Sequence, residues 1–470
     1  MKKSAVLALV LLVAVAIALA SREPQVDPRL KNAFRRPQQN GWTFVHLEGT
    51  PREVGFQHGY LLAPEIREAQ KIIALELAQD TKRNWRFFRD AARNDLWPHI
   101  ETEYREELLG IAVGLGTRGI RLDIWDVVAL NAWLEWSPYY IQWHEKEHKP
   151  IRMAKLATAE RCSAFIATGA YTKDGRIVMA HNTWTGYMDG ERWTIVFDIS
   201  PARGHRILMD GFPGLIHSGD DFGINAAGMM ITETTIARFH GWNPNGIPEF
   251  VRARKAMQYS TSIEEFAKWM SESNNGGYAN NWLVGDRKTN EIASLELGLK
   301  NVVLRRSEGG YFAGANFPVN EKLIADETDF DTTDLSQSPA ARRLRLTQLL
   351  EENKGRIDVA MAQRFLGDHY DTVEKIERAS ERTLCGHIDL SPRGSAPWQP
   401  AYGVAGAVQN KATDATMAGK LSFTAAAGHA CGIPFRAAAH LKAHPEFAWQ
   451  KEWLRDLGSA PWTEFRAADR

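Results

Sequence analysis

The sequence predicts an α+β fold. Apolar residues recur at three- and four-residue steps before about residue 140, the period changes to two after about residue 160, and helical spacing returns twice within the second half. Of the 470 residues, 44% are hydrophobic and 24% charged, a globular balance that excludes a disordered or collagen-like chain. Lys+Arg and Asp+Glu both number 57, so the positive surplus that nucleic-acid binding requires is missing and no nucleic-acid partner is expected. Only Cys162, Cys385 and Cys431 occur, too few for a disulfide scaffold or a four-thiolate zinc site.

Taken in order, Lys2 and Lys3 precede an apolar run over 5–20 that ends in Ala18-Leu19-Ala20 before Ser21, the pattern of a signal peptide over 1–20. The run is shorter than the ~20 residues a spanning helix needs. A secreted or periplasmic protein with no membrane span after signal removal is expected. Residues 21–161 read as a helical N-terminal fragment. Pro64 suits a helix start. Ile66, Ala69, Ile73 and Leu77 form one stripe, Tyr104, Leu108 and Ala112 a second, and 122–134 a third with Asp123 near its start. Residues 141–161 are polar and charged and read as a linker. Strands are predicted over 163–168, 176–180, 193–199, 229–233, 282–285 and 302–304, with Asp174-Gly175 as a hairpin turn. Helices are predicted over 260–273 and 339–353, and a surface loop over 326–338.

Three motifs suggest chemistry on weak grounds. Residues 114–119 match G-x-G-x-x-G, but a helix and not a strand precedes them, so they read as a helix end and loop. His144-Glu145-Lys146-Glu147-His148 matches H-E-x-x-H, which on a helix places two zinc ligands on one face with Glu145 as base. Every residue from His144 to Lys149 is polar or charged, Pro150 follows, and no third ligand stands at the usual spacing. The solvated linker is the preferred reading and a zinc hydrolase the alternative; a non-catalytic binding protein is a further one. Asp368 and His369 read as either a catalytic pair or a helix-end pair.

Cys162 stands apart because it opens the first strand of the second half, directly after the charged stretch. That position suggests a sheet edge with an accessible N-terminus. A Cys385–Cys431 disulfide in an oxidising compartment would leave Cys162 as the free thiol.

Around it the residues resemble a known family. Cys-Ser-Ala-Phe-Ile-Ala-Thr-Gly at 162–169, Thr-Lys-Asp-Gly-Arg-Ile-Val-Met at 172–179 and Ala-His-Asn-Thr-Trp at 180–184 resemble the core of phospholipase B-like proteins, which are N-terminal-nucleophile (Ntn) hydrolases related to penicillin acyltransferase-type enzymes and bile salt hydrolases. Gly-Thr-Pro-Arg-Glu-Val-Gly-Phe-Gln-His-Gly at 49–59 is similar to the opening segment of the acyltransferase-type relatives. Asp220-Asp221-Phe222 with Thr232-Glu233-Thr234-Thr235, and Tyr278-Ala279-Asn280-Asn281-Trp282, resemble two further motifs. The likeness continues faintly through 382–387 and 429–435.

The resemblance implies a four-layer αββα sandwich over 162–470, and cleavage between Arg161 and Cys162 that leaves two associated fragments. The catalytic residues it implies are Cys162 as nucleophile, its own α-amine as base, Asn280 or Asn281 as oxyanion donor, Thr234 as a polar contact and His181 as an orienting or proton-shuttling group. Trp184 is the implied substrate-binding residue, and no cofactor or metal is implied. The substrate is a small acylated amide or lipid-like ester. Bile salt hydrolases have Arg where His181 stands and Asp near Trp184, so this chain departs from that subgroup. A two-residue turn at Asp174-Gly175 sets Cys162 opposite Tyr187; a longer loop that takes in 169–171 moves Trp184 toward it.

Overall fold

In the computed structural model, which describes residues 27–148, 162–395 and 399–468, strand alternation sorts side chains between two sheets. The larger sheet runs β1 (Phe34–Arg35), β2 (Thr43–Gly49), β5 (Ile195–Pro201), β6 (Ile207–Gly211), β7 (Gly223–Asn225), β8 (Met229–Thr235), β9 (Asn280–Asp286), β10 (Glu291–Leu297) and β11 (Val302–Ser307). The smaller runs β12 (Tyr311–Gly314), β3 (Cys162–Ala167), β4 (Val178–Gly186), β15 (Ala405–Asp414), β16 (Ser422–Ala427) and β17 (Thr463–Arg466). A ribbon of β13 (Tyr370–Asp371) and β14 (Ile376–Glu377) lies outside both. Neighbours are antiparallel except β2 and β5.

Ala164, Ile166 and Met179 from the smaller sheet meet Val196, Leu208, Met230 and Leu283 from the larger one in a shared apolar layer. The alternate residues point outward. Val45, Phe197, Ile231 and Val284 pack under the N-terminal helices α1 (Pro51–Leu61), α2 (Ala63–Thr81), α3 (Trp85–Ala91), α4 (Thr102–Thr117) and α5 (Ile124–Asn131). On the far side Phe165 and Val178 pack under Leu346, Leu349 and Phe365 from two later helices, Ser338–Glu352 and Val359–Leu366. The result is the predicted helix–sheet–sheet–helix order.

The predicted stripe on α2 is real: Ile66, Ala69, Ile73 and Leu77 are all buried. α1 starts on a capping box in which Thr50 and Glu53 satisfy each other's backbone N–H groups. It then runs against α4 with almost no space between the backbones. A Cβ on Gly55 would lie 1.8 Å from the carbonyl oxygen of Glu107, and one on Gly114 would lie 2.3 Å from that of Phe56. Gly114, the first glycine of the G-x-G-x-x-G match, therefore serves helix packing. Gly55→Ala is expected to destabilise the protein by at least ~1–3 kcal/mol, because backbone cannot yield as a side chain can. Thermal melting checks this, and an unchanged midpoint would contradict the close packing.

Burial, and secondarily Arg254, push the imidazole of His58 on α1 down to about 3. The neutral ring accepts a hydrogen bond from the Gly214 N–H at Nε2, 3.0 Å away. An unfolded histidine titrates near ~6.5, so between there and about 3 the unfolded chain binds the extra proton. The contribution of His58 to stability is complete above pH ~6.5 and falls as the solution is acidified. Wild type should lose melting temperature from pH 7 to pH 4 more steeply than His58→Gln; equal slopes would contradict the assignment.

The stretch read as linker begins as a helix, α6 (Ile141–His148). His144 packs on Phe87, Tyr140 and Trp143, and Glu145 lies 3.4 Å from Arg83, so aromatic packing overrides the polar pattern. The side chain of His148 and residues 149–161 lie outside the described residues. The β3–β4 register pairs Cys162 with Thr183 and Ala167 with Val178. The longer loop, with a turn of 3₁₀ helix at Gly169–Tyr171, is therefore the one used. β3 lies between β12 and β4 and Cys162 is only 1% exposed, which corrects the expectation of an accessible sheet edge.

Candidate active site

Strand register places the candidate residues. Cys162 faces Thr183, Ala164 faces His181, and Lys411 and Gln409 on β15 face His181 and Thr183. All four polar partners share the inter-sheet face with Ala164 and Ile166, so the apolar layer gives way at this end to a polar one. Lys411 Nζ donates to Asp210 Oδ2 at 2.9 Å, Asp220 Oδ2 at 2.5 Å and Thr183 Oγ1 at 2.8 Å. Gln409 Nε2 donates to Oδ2 of both aspartates, and Ser218 Oγ lies 2.8 Å from Oδ1 of each, with one proton to give. Burial opposes the Lys411 ammonium, but the two aspartates outweigh it and hold its pKa above the usual lysine value. Burial and the neighbouring Asp220 push the Asp210 carboxyl up to about 8. Burial of Asp220 is overcome by Lys411 and then His181, which hold it well below the carboxylate range. At neutral pH one cation balances one anion beside a protonated acid.

This network fixes the His181 tautomer. Thr183 gives its only proton to Asp220, so at 3.4 Å the His181 Nδ1–H is the donor to Thr183 Oγ1. Nε2 is then the lone-pair nitrogen, and it is buried without a hydrogen-bond partner. Burial, followed by Lys411, depresses the imidazole to about 3, so the ring is neutral at pH 7. Ligating atoms of Cys162, His181 and Glu233 lie within 4.8 Å of one another. In the uncut chain burial, then Glu233 and Asp220, raise the thiol well above its usual value, opposed by a hydrogen bond from the Trp184 backbone. Burial, then Asp221 and Asp220, raise the Glu233 carboxyl well above its usual value, and Tyr278 Oη donates to it at 3.1 Å.

The backbone of Cys162 is clamped. Its N–H donates to Asn316 Oδ1 at 3.1 Å, and its carbonyl accepts from Arg342 Nη1 at 2.6 Å. Arg342 also reaches Ser163 Oγ and Asn316 Oδ1, at 2.9 and 2.8 Å. Asn316 Nδ2 donates to the Thr235 carbonyl at 2.9 Å, and Thr235 lies directly opposite Asn280. Both amide atoms of Asn280 are buried without a partner, whereas Asn281 Oδ1 already accepts from Ser294 Oγ at 2.7 Å. Thr234 faces Asn281 and abuts β12, where a Cβ on Gly314 would come 2.6 Å from its Oγ1. Trp184 lies behind β4, with Arg342 4.3 Å from its ring and Gly386 pressed against it. It braces the strand from the outer side. Arg161 lies outside the described residues. Cys385 and Cys431 are free thiols, so the suggested disulfide is not formed.

The family model described as Phospholipase B matches residues 94–335. The chain belongs to the Phospholipase B family. It is similar to an uncharacterized protein of Archaeoglobus fulgidus, at 25% identity over 392 residues, covering 75% of this chain and 62% of that one. It is also similar to "Putative phospholipase B-like 2" of Mus musculus, at 26% over 312 residues (57% and 52%), and to "Phospholipase B-like 1" of Bos taurus, at 22% over 316 residues (57% and 56%). The chain thus spans half to three-fifths of the length of these relatives. Among the described residues, no helix is long and apolar enough to cross a membrane.

The Phospholipase B match includes Cys162, His181, Asp220, Glu233, Asn280 and Asn316, and stops before Arg342, Gln409 and Lys411. Sequence reasoning quoted Asp220 and Glu233 within motifs but assigned them no role, and it missed Asp210, Asn316, Arg342, Gln409 and Lys411. Lys411 carried no distinct signal, since it stands in a polar Gln409-Asn410-Lys411 run of β15. Asn316 and Arg342 carried none, because only the fold brings them to Cys162.

Proposed function

We propose that the protein is an exported acyl hydrolase that cuts its own chain between Arg161 and Cys162 and then uses Cys162 as an N-terminal nucleophile. The observation that supports this most is the double hold on Cys162: its nitrogen rests on Asn316, and its thiol lies within 4.8 Å of a ring nitrogen of His181, whose Nε2 has no hydrogen-bond partner. In the precursor His181 takes the thiol proton as Sγ attacks the Arg161 carbonyl, then passes it to the departing Cys162 nitrogen. Transfer of the acyl group from nitrogen to sulfur breaks the peptide bond, and water then hydrolyses the thioester. The new α-amine, held by Asn316, titrates near ~8 and so supplies a neutral base at Sγ.

Substrate then repeats the chemistry. The thiolate adds to an ester or amide carbonyl, the alcohol or amine leaves with a proton from the α-ammonium, and water resolves the acyl-cysteine. The names of the relatives favour lipid-like acyl esters. Asn280 Nδ2 is the proposed oxyanion donor. Asn280→Ala should lower kcat ~100–1000-fold with KM little changed, whereas Asn281→Ala should act mainly on stability through Ser294. Equal kinetic losses in both would reverse the assignment.

The direct test is incubation with a panel of glycerophospholipids and N-acyl amides, followed by mass spectrometry of the fragment that begins at Cys162. A mass increase of one acyl group, lost with hydroxylamine, is expected. Substrate turnover without any thioester on that fragment would sink the mechanism.

A further inference from the structure

A second cluster of ligating atoms lies behind β4, and the proposed function does not use it. His369 follows the helix Val359–Leu366, Cys385 and His387 flank Gly386, and Cys431 stands in the loop after β16. One ligating atom from each lies within 4.8 Å of all the others. His387 Nε2 is 3.6 Å from Cys385 Sγ and 3.4 Å from Cys431 Sγ. With Zn–S near ~2.3 Å and Zn–N near ~2.0–2.1 Å, a tetrahedral site has S···N edges of about 3.5 Å. The fourth group, His369, has a buried Nε2 with no hydrogen-bond partner.

The surroundings suit a closed metal site. The other nitrogen of His387, Nδ1, is 3.9 Å from Asp389 Oδ1, and Asp389 is fixed by the Tyr187 hydroxyl at 2.6 Å. At that distance Asp389 makes no hydrogen bond to the ring, whose Nδ1 is buried without a partner, so its contribution is electrostatic. The Ile433 N–H lies 3.3 Å from Cys431 Sγ and offsets thiolate charge. The Cys385 N–H donates to the Asp368 carbonyl, and Arg345 holds the Asp368 carboxylate through two bonds, so Cys385 and His369 are fixed to each other.

We propose that His369, Cys385, His387 and Cys431 bind one zinc ion in a structural Cys₂His₂ site. Two thiolates and two neutral imidazoles neutralise the ion and fill its tetrahedron, leaving no open position for substrate. The site braces the active-site strand: Gly386, between two ligands, presses on Trp184, and the carbonyl of Leu384 accepts from Asn182 Nδ2 at 2.7 Å. Zinc also keeps Cys385 and Cys431 from pairing with each other.

The test uses the purified full-length protein. Elemental analysis should find about one zinc per chain. After chelation, added Co²⁺ should give ligand-field bands of tetrahedral intensity and a thiolate charge-transfer band. Iodoacetamide should label Cys385 and Cys431 only after chelation. Zinc should be lost in Cys431→Ser and in the half-buried His369→Ala, which keeps both thiols, and retained in Cys162→Ala. Three results would overturn the proposal: a mass two hydrogens lighter with Cys385 and Cys431 disulfide-linked, reduced protein without cobalt bands, or metal that follows Cys162.

Discussion

Cys162→Ala is expected to leave a single uncut chain and to lower the proposed acyl-transfer activity on the order of 10⁴–10⁶-fold. The loss is large because one residue supplies both the thiol and, after cleavage, the amine that takes its proton. The side chain is small and buried, so the alanine variant loses little packing and should melt near the wild type. That separates lost chemistry from lost folding. His181→Gln should slow the chain break more than it slows turnover of an already cut enzyme, because the α-amine replaces Nε2 as base only after the cut. A cut and active Cys162→Ala protein would remove the nucleophile from this account.

Lys411→Met carries the next largest effect, and it acts on stability first. The ammonium is fully buried between Asp210 and Asp220, and its removal leaves a carboxylate without a counter-charge. Breaking a buried pair in this way costs about 3–5 kcal/mol. The variant should melt well below wild type. Lys411→Met/Asp220→Asn should recover part of that loss, since the second change removes the stranded charge. Activity should fall as well, because Thr183 loses the Lys411 ammonium that helps hold its hydroxyl against His181 Nδ1. A double variant that melts no higher than the single one would show that the charge balance is not what Lys411 provides.

The mixture of helices and strands was legible in the sequence because it rests on periodicity, whereas the four-layer order came from the motif resemblance. The α2 stripe and the alternation of β3, β8 and β9 each arise from local spacing that burial then satisfies. The helix at Ile141–His148 was not legible. From His144 onward its residues are polar, and one of the rings that His144 packs on, Phe87, comes from a distant segment. The β3–β4 register depended on loop length, which Asp174-Gly175 alone does not fix. In the site, Cys162, His181 and Asn280 were reachable through motif resemblance. Asn316, Arg342 and Lys411 were not, since the fold brings them to the site from a loop, a helix and a strand more than a hundred residues along the chain from Cys162. The two remaining cysteines misled for a related reason: an oxidising compartment suggests a disulfide, and only the fold shows two histidines between them.

The central claim is that residue 162 becomes a chain terminus. Intact-mass measurement with N-terminal sequencing of purified, active protein tests it most directly. Two associated fragments are predicted, one of them beginning Cys-Ser-Ala-Phe. A single uninterrupted chain in fully active protein, with Arg161 still joined to Cys162, would contradict it.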